Sequence, residues 1–108
     1  MSEPLIFTYH HPHDGGMTAV ILRKKGYYGN GRIALELVDV EDYCPFATVT
    51  VNVPEIEIGK DEIIVKSYAE NQGMLNFLVT NQICAAPRAI VERGHVEFFI
   101  CKLLIKIA

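Results

Sequence analysis

Residues 45–54, "PFATVTVNVP", decide how this chain folds. Between two prolines, Ala47, Val49, Val51 and Val53 alternate with Thr48, Thr50 and Asn52. Successive side chains of a strand point to opposite faces, so the pattern predicts a half-buried strand with the valines inward and the threonines outward. Pro54 ends it, because proline has no N–H to give a ladder. Upstream, "GRIALELVDV" (31–40) alternates Ile33, Leu35 and Leu37 with Ala34 and Glu36. "MTAVILRKK" (17–25) is rich in β-branched residues, and "LIFTY" (5–9) reads as a shorter first strand. The Asn30-Gly31 pair after "GYY" and the turn residues of "EDYCP" supply hairpin-like connections. The segments 17–25, 31–40 and 45–54 predict an antiparallel meander, with 5–9 as a short strand before it.

Downstream, the acidic connection "EIEIGKDE" leads to "IIVK" (63–66), another short strand. The period then changes. "SYAE" (67–70) has the spacing of a capping box, Ser67 with Glu70, and Met74, Leu75, Leu78 and Val79 recur at helical intervals. Gly73 falls inside this predicted helix, where glycine costs about 1 kcal/mol against alanine, so a close packing contact is expected there. The helix should stop near Asn81, and Pro87 forbids continuation. "RAIVE" (88–92), an "RG" turn and "HVEFFICKLLIKI" (95–107) predict a closing hairpin or one long last strand. The fold class is α+β: an antiparallel β-sheet, meander plus C-terminal strands, with one α-helix packed on it.

The length of 108 residues, half of them apolar, suits a single domain, 1–108, with one core. Residues 1–16 form its variable N-terminal strand and histidine-rich loop. The net charge of -3 gives no global attraction to nucleic acid or anionic membrane. No stretch approaches the roughly 18 apolar residues of a membrane span, and the N-terminus lacks the basic region of a secretory signal. Three separated cysteines, Cys44, Cys84 and Cys101, favour reduced thiols over a disulfide framework or zinc ribbon. The expectation is a cytoplasmic monomer or small homo-oligomer.

The runs "YGNGRIALELVD...PFATVTVNVP", "VKSYAENQGMLNFLV" and "GHVEFFICKLL" resemble an uncharacterised family of small proteins carried on bacterial conjugative elements, plasmids and prophages. In that family a "GNLAIQL"-like strand precedes "YATLTVNL", an "ENEG" helix start and a C-terminal strand near "CPL" or "CRL". The resemblance covers roughly residues 27 to 104. It implies a fold and a genetic setting, and it transfers no catalytic residues. "HHPHDGG" (10–16) and the terminal "KLLIKIA" lie outside the shared patterns.

Three groups of residues invite chemistry. In "YHHPHDGG" (9–16), His11, His13 and Asp14 have donor atoms suited to zinc, with His10 beside them. Pro12 and Gly15-Gly16 mark a turn, however, and a hydrolytic site needs three rigid ligands with supporting partners. A solvated loop is the simpler reading, and no metal or other cofactor is expected. In "RKKGYYGNGR", the cations Arg23, Lys24, Lys25 and Arg32 flank Tyr27 and Tyr28, a ribbon tip suited to phosphates and bases. Lysines guarding a sheet edge are the plainer explanation.

From Glu36 to Glu62 there are eight carboxylates and one cation, Lys60. A hydrated surface accounts for them; the functional alternative is a nucleic-acid-like surface steered to a protein. No Ser-His-Asp, Cys-His, HExxH or phosphate-loop pattern occurs, so an enzyme is not expected. The leading expectation is a non-catalytic accessory protein of a mobile element that binds a host protein, of the anti-CRISPR or anti-restriction type. Its contact residues would be Tyr27, Tyr28, Tyr43, Asp39, Glu41 and Asp42. A nucleic-acid-binding module using the basic hairpin ranks second, and a small metal-dependent hydrolase third.

Overall fold

The computed structural model describes residues 5–68 and 71–107. The three segments of the predicted meander pair in that order upstream of residue 49, and the short first strand adds to its edge. β1 (Phe7–His10), β2 (Met17–Gly26), β3 (Ile33–Asp39) and β4 (Pro45–Thr48) form an antiparallel sheet in that order. Leu22 lies opposite Leu37 and Arg23 opposite Glu36, so adjacent pairs alternate between an apolar inner face and a charged outer face. Between Leu37 and Val38 the β3–β4 register slips, with Ala47 and Pro45 as their respective partners. Phe46 is the extra residue of this bulge, and its ring packs against the core.

The decisive stretch does not stay in this sheet. Val49 N–H still donates to Leu35 O at 2.8 Å, but Val51 N–H donates to Ile64 O at 3.1 Å. Lys66 N–H in turn donates to Val49 O at 3.1 Å. Ile64 and Lys66 belong to β5 (Glu62–Lys66), in a second antiparallel sheet of order β5-β7-β6 with β6 (Ala89–Arg93) and β7 (Val96–Lys102). Residues 49–51 therefore bridge the two sheets, with Thr50 opposite Val65. The predicted single strand 45–54 is thus cut at Thr48, well before Pro54, and the predicted single sheet becomes two.

This handover reverses one assigned face. Thr50, expected outside, is 2 % exposed. Its Oγ1 accepts the Leu35 N–H at 3.1 Å and lies 2.9 Å from the Tyr27 hydroxyl. The side chain thereby stands in for a ladder acceptor at the joint, which removes the cost of burying it. Val51 and Val53 pack instead in a second apolar cluster with Ile56, Ile64, Phe98 and Ile100.

The predicted helix is shorter than its pattern. α1 spans Met74–Thr80, and Gly73 is its N-cap at φ +88°, a left-handed conformation that favours glycine. Glu70 lies outside the described residues, and Ser67 does not cap at the helix's first residue: its Oγ accepts from Leu75 N–H at 3.1 Å. The close packing contact expected at Gly73 is not what requires glycine, since a Cβ there would meet Pro12 Cγ at an ordinary 3.6 Å; the positive φ is. A helix of two turns has little stability of its own. Met74, Phe77 and Leu78 hold it by entering the main core with Leu35, Val49, Val65 and Cys101. Asn81 ends it, its amide donating to Phe77 O at 2.9 Å.

Of the two C-terminal readings the hairpin is the one that forms, β6 and β7 turning at Gly94 with φ +62° and β7 stopping at Lys102. The cysteines are free: Cys44 is exposed, and burial pushes the Cys84 and Cys101 thiols up to about 12 and about 11. No helix among the described residues is long and apolar enough to cross a membrane.

Glu62 ties the second sheet to the chain entering β6. It accepts from Arg88 Nη2 at 2.9 Å and from Gly59 N–H at 2.7 Å. These donors hold its carboxyl below the ordinary value of 4.5. A depressed folded pKa adds stability above the unfolded value, and that stability is lost as pH falls through the folded value. Denaturant midpoints should therefore decline below about pH 4.5. The Glu62→Gln variant should be less stable at neutral pH and show a shallower decline, and parallel slopes would remove Glu62 from the acid response.

Candidate functional site

The histidine-rich loop is exposed from Pro12 to Gly15, as a solvated turn is, and is tied at its two ends. His11 N–H donates to Gly16 O at 2.8 Å, and Gly16 N–H donates to Asp14 Oδ1 at 2.8 Å. His11 Nε2 lies 2.7 Å from Thr18 Oγ1, and the ring meets Tyr9 and Phe46 edge-on at 5.6 and 5.5 Å. Pro12 rests on Gly73. The loop forms one side of a cleft of about 390 Å³ whose other sides are β4, Lys66 and Asn71. His13 and Asp14 stand at this cleft as well, whereas His10 is exposed and not among its lining residues. Among the described residues no three His, Cys, Asp or Glu side chains are grouped to hold a metal ion.

Asn71 braces the far side. It is 1 % exposed, and its amide donates to both Thr48 O and Lys66 O, joining the end of β4 to the end of β5. Tyr9 lies beneath, its hydroxyl donating to Gln72 O at 3.4 Å; burial raises its phenol above the usual value of 10. The sequence showed the polar residues of this cleft but not its location. The signal available was the aromatic Tyr9 and Phe46 flanking two segments that only the tertiary fold brings together.

The histidines consequently differ. His10→Ala and His13→Ala should leave stability within about 0.5 kcal/mol of wild type, as exposed positions do. His11→Ala should cost about 1–2 kcal/mol through lost packing and the lost Thr18 bond. Urea unfolding of the three single variants separates them, and a neutral His11→Ala would mean that the ring does not brace the loop.

The basic hairpin is drawn into the fold. Arg23 and Lys25 share the Glu36 carboxylate at 3.0 and 3.3 Å, holding it below the ordinary carboxylate value, with the Arg23 hydrogen bond the largest cause. Arg32 reaches across to Val53 O at 3.0 Å and Pro54 O at 3.2 Å. Lys24 alternates to the other face of β2, so the four cations do not form one phosphate-facing surface. Tyr27 is tied to Thr50, while Tyr28 is fully exposed at the loop tip.

The β3–β4 turn holds the other predicted residues together. Asp39 O accepts Tyr43 N–H at 2.9 Å and Cys44 O accepts Asp39 N–H at 3.0 Å. Asp39 Oδ1 and Asp42 Oδ1 accept from Glu41 and Cys44 N–H at 2.8 and 2.9 Å. Tyr43 projects from this frame 69 % exposed, at φ +58°. The two tyrosine tips sit at opposite ends of β3, about 20 Å apart for a strand of that length.

Of the eight carboxylates, Glu36, Asp61 and Glu62 are ion-paired, and Asp39 and Asp42 hold backbone donors. Comparison with known protein families, with curated proteins and with solved structures finds no match to this chain.

Proposed function

We propose that the chain acts by binding a protein partner, with the β3–β4 turn as the contact. The observation that carries this reading is Tyr43. A bulky side chain at positive φ is uncommon and costs of order 1 kcal/mol or more, and such strain gathers at functional sites. Here the turn's hydrogen bonds over-determine the conformation, yet the ring they present stays 69 % exposed. A rigid exposed aromatic offers contact area at small entropic cost, the usual character of a binding hot spot. The resemblance of residues 27–104 to mobile-element proteins supports a partner in the host cell. Inhibition of a defence nuclease is the sharper form of the same proposal.

The test is to capture partners from host lysate and measure binding kinetics for Tyr43→Ala and Tyr43→Gly. Both should weaken binding by about 2 kcal/mol or more. Tyr43→Gly should also be at least as stable as wild type, because glycine accepts this φ without strain. Glu41→Lys, which leaves the two aspartate bonds intact, should mainly slow association, and salt should mask the effect. Wild-type kinetics in both Tyr43 variants would remove the turn from the interface.

A further inference from the structure

We propose that the cleft beside the histidine-rich loop binds a small organic anion with a flat apolar body, such as a nucleoside monophosphate or an aromatic carboxylate. This site is separate from the Tyr43 turn and does not depend on the protein-binding reading. Its volume of about 390 Å³ falls at the lower end of the roughly 300–1,000 Å³ of small-molecule sites, which suits a monomeric ligand. The lining combines the rings of His11 and Phe46, both half-buried, with a few polar groups, the composition expected of such a site.

Lys66 is the group at the cleft that favours an anion. It makes no ion pair among the described residues. Its backbone is fixed on both sides, the N–H to Val49 O at 3.1 Å and the carbonyl by Asn71 at 3.3 Å, so the ammonium works from an anchored stem. Asp14 also lines the cleft, accepts the Gly16 N–H and keeps its negative charge, so the anionic head belongs at Lys66 and away from the histidine-rich loop. The sides are also preformed. Asn71 ties β4 to β5, Pro12 rests on Gly73, and Thr18 holds His11, so little ordering accompanies entry of a ligand. Lys66 then takes the anionic head, and the flat body lies against the edge-to-face pair of the Phe46 and His11 rings.

Calorimetric titration of the full chain with AMP, benzoate, adenosine and inorganic phosphate tests this. Saturable binding of AMP identifies a phosphate head and binding of benzoate a carboxylate head. Adenosine and inorganic phosphate, each lacking one half of the ligand, should bind at least tenfold more weakly than AMP where AMP is the binder. Lys66→Gln should weaken the bound anion about tenfold, the scale of one charge-assisted hydrogen bond. Thr48→Trp, which fills the cleft from an exposed strand position, should abolish binding while the far-ultraviolet circular dichroism stays unchanged. Absence of saturable binding by both anions, equal binding of adenosine and AMP, or unchanged affinity in Lys66→Gln overturns the proposal.

Discussion

Val49→Asp should unfold the protein at room temperature, whereas Val51→Asp, two residues on and identical in chemistry, should leave it folded. Val49 has no exposed surface and packs among Leu35, Val65 and Leu78 where the two sheets meet. A carboxylate there has no cation to meet it, and burying an unpaired charge costs about 4 kcal/mol or more. That approaches the whole stability of a small domain, about 5–15 kcal/mol. Val51 is half-buried in the second cluster, and its substituent has a path to water. Its cost should be about 2 kcal/mol. Urea unfolding followed by circular dichroism decides the matter, with Val49→Ala, costing about 2 kcal/mol, as a folded control. Equal losses at the two positions would mean that the chain does not change sheets between them.

The contrast shows what a strand pattern carries and what it does not. Period 2 placed Leu35, Leu37 and Val49 inside, and the turn residues located the hairpins that join β2 to β3 and β3 to β4. Each of those decisions is local, set by side chains that alternate against one core. The alternation of residues 45–54 continues unbroken through the joint, but the neighbour that each side chain meets changes from β3 to β5. Nothing in ten residues announces that change. Phe46 left a trace, an aromatic beside Ala47 out of phase with the valines, which is the bulge. Gly73 left another, since its role depends on backbone conformation rather than on the helical period it interrupts.

The candidate sites divide in the same way. Tyr43 was legible because a turn sequence exposes its residues whatever the fold. Its positive φ was not, being a product of four hydrogen bonds around Asp39 and Asp42. The cleft was illegible as a site. His11, Phe46, Lys66 and Asn71 are brought together only by the tertiary fold, and the exposed loop is tied at its ends through the His11–Thr18 and His11–Gly16 bonds. The basic hairpin illustrates the converse. Clustered cations looked available for phosphate until Glu36, Val53 and Pro54 were found to occupy three of them.

Thr50→Val should cost about 2–3 kcal/mol, although it preserves shape and adds apolar surface to a buried position. The reason is the Leu35 N–H. That donor is buried, and Thr50 Oγ1 at 3.1 Å is the acceptor it has, because the Val49 carbonyl has turned to serve Lys66 on the other sheet. Valine offers no acceptor, and an orphaned buried N–H costs about 1–3 kcal/mol. The Tyr27 hydroxyl, 2.9 Å from the same oxygen, loses its partner too. Thr50→Ser keeps the oxygen and should lose only a methyl group, about 1 kcal/mol. Tyr27→Phe leaves the Leu35 bond in place and should also cost about 1 kcal/mol. The double variant Tyr27→Phe/Thr50→Val should then be less damaged than the sum of the single losses, since both bonds converge on one oxygen. Denaturant midpoints of the four variants measure that coupling. If Thr50→Val is as stable as wild type, its hydroxyl is not what lets the chain cross between the sheets; if the single losses simply add, Tyr27 and Leu35 do not share it.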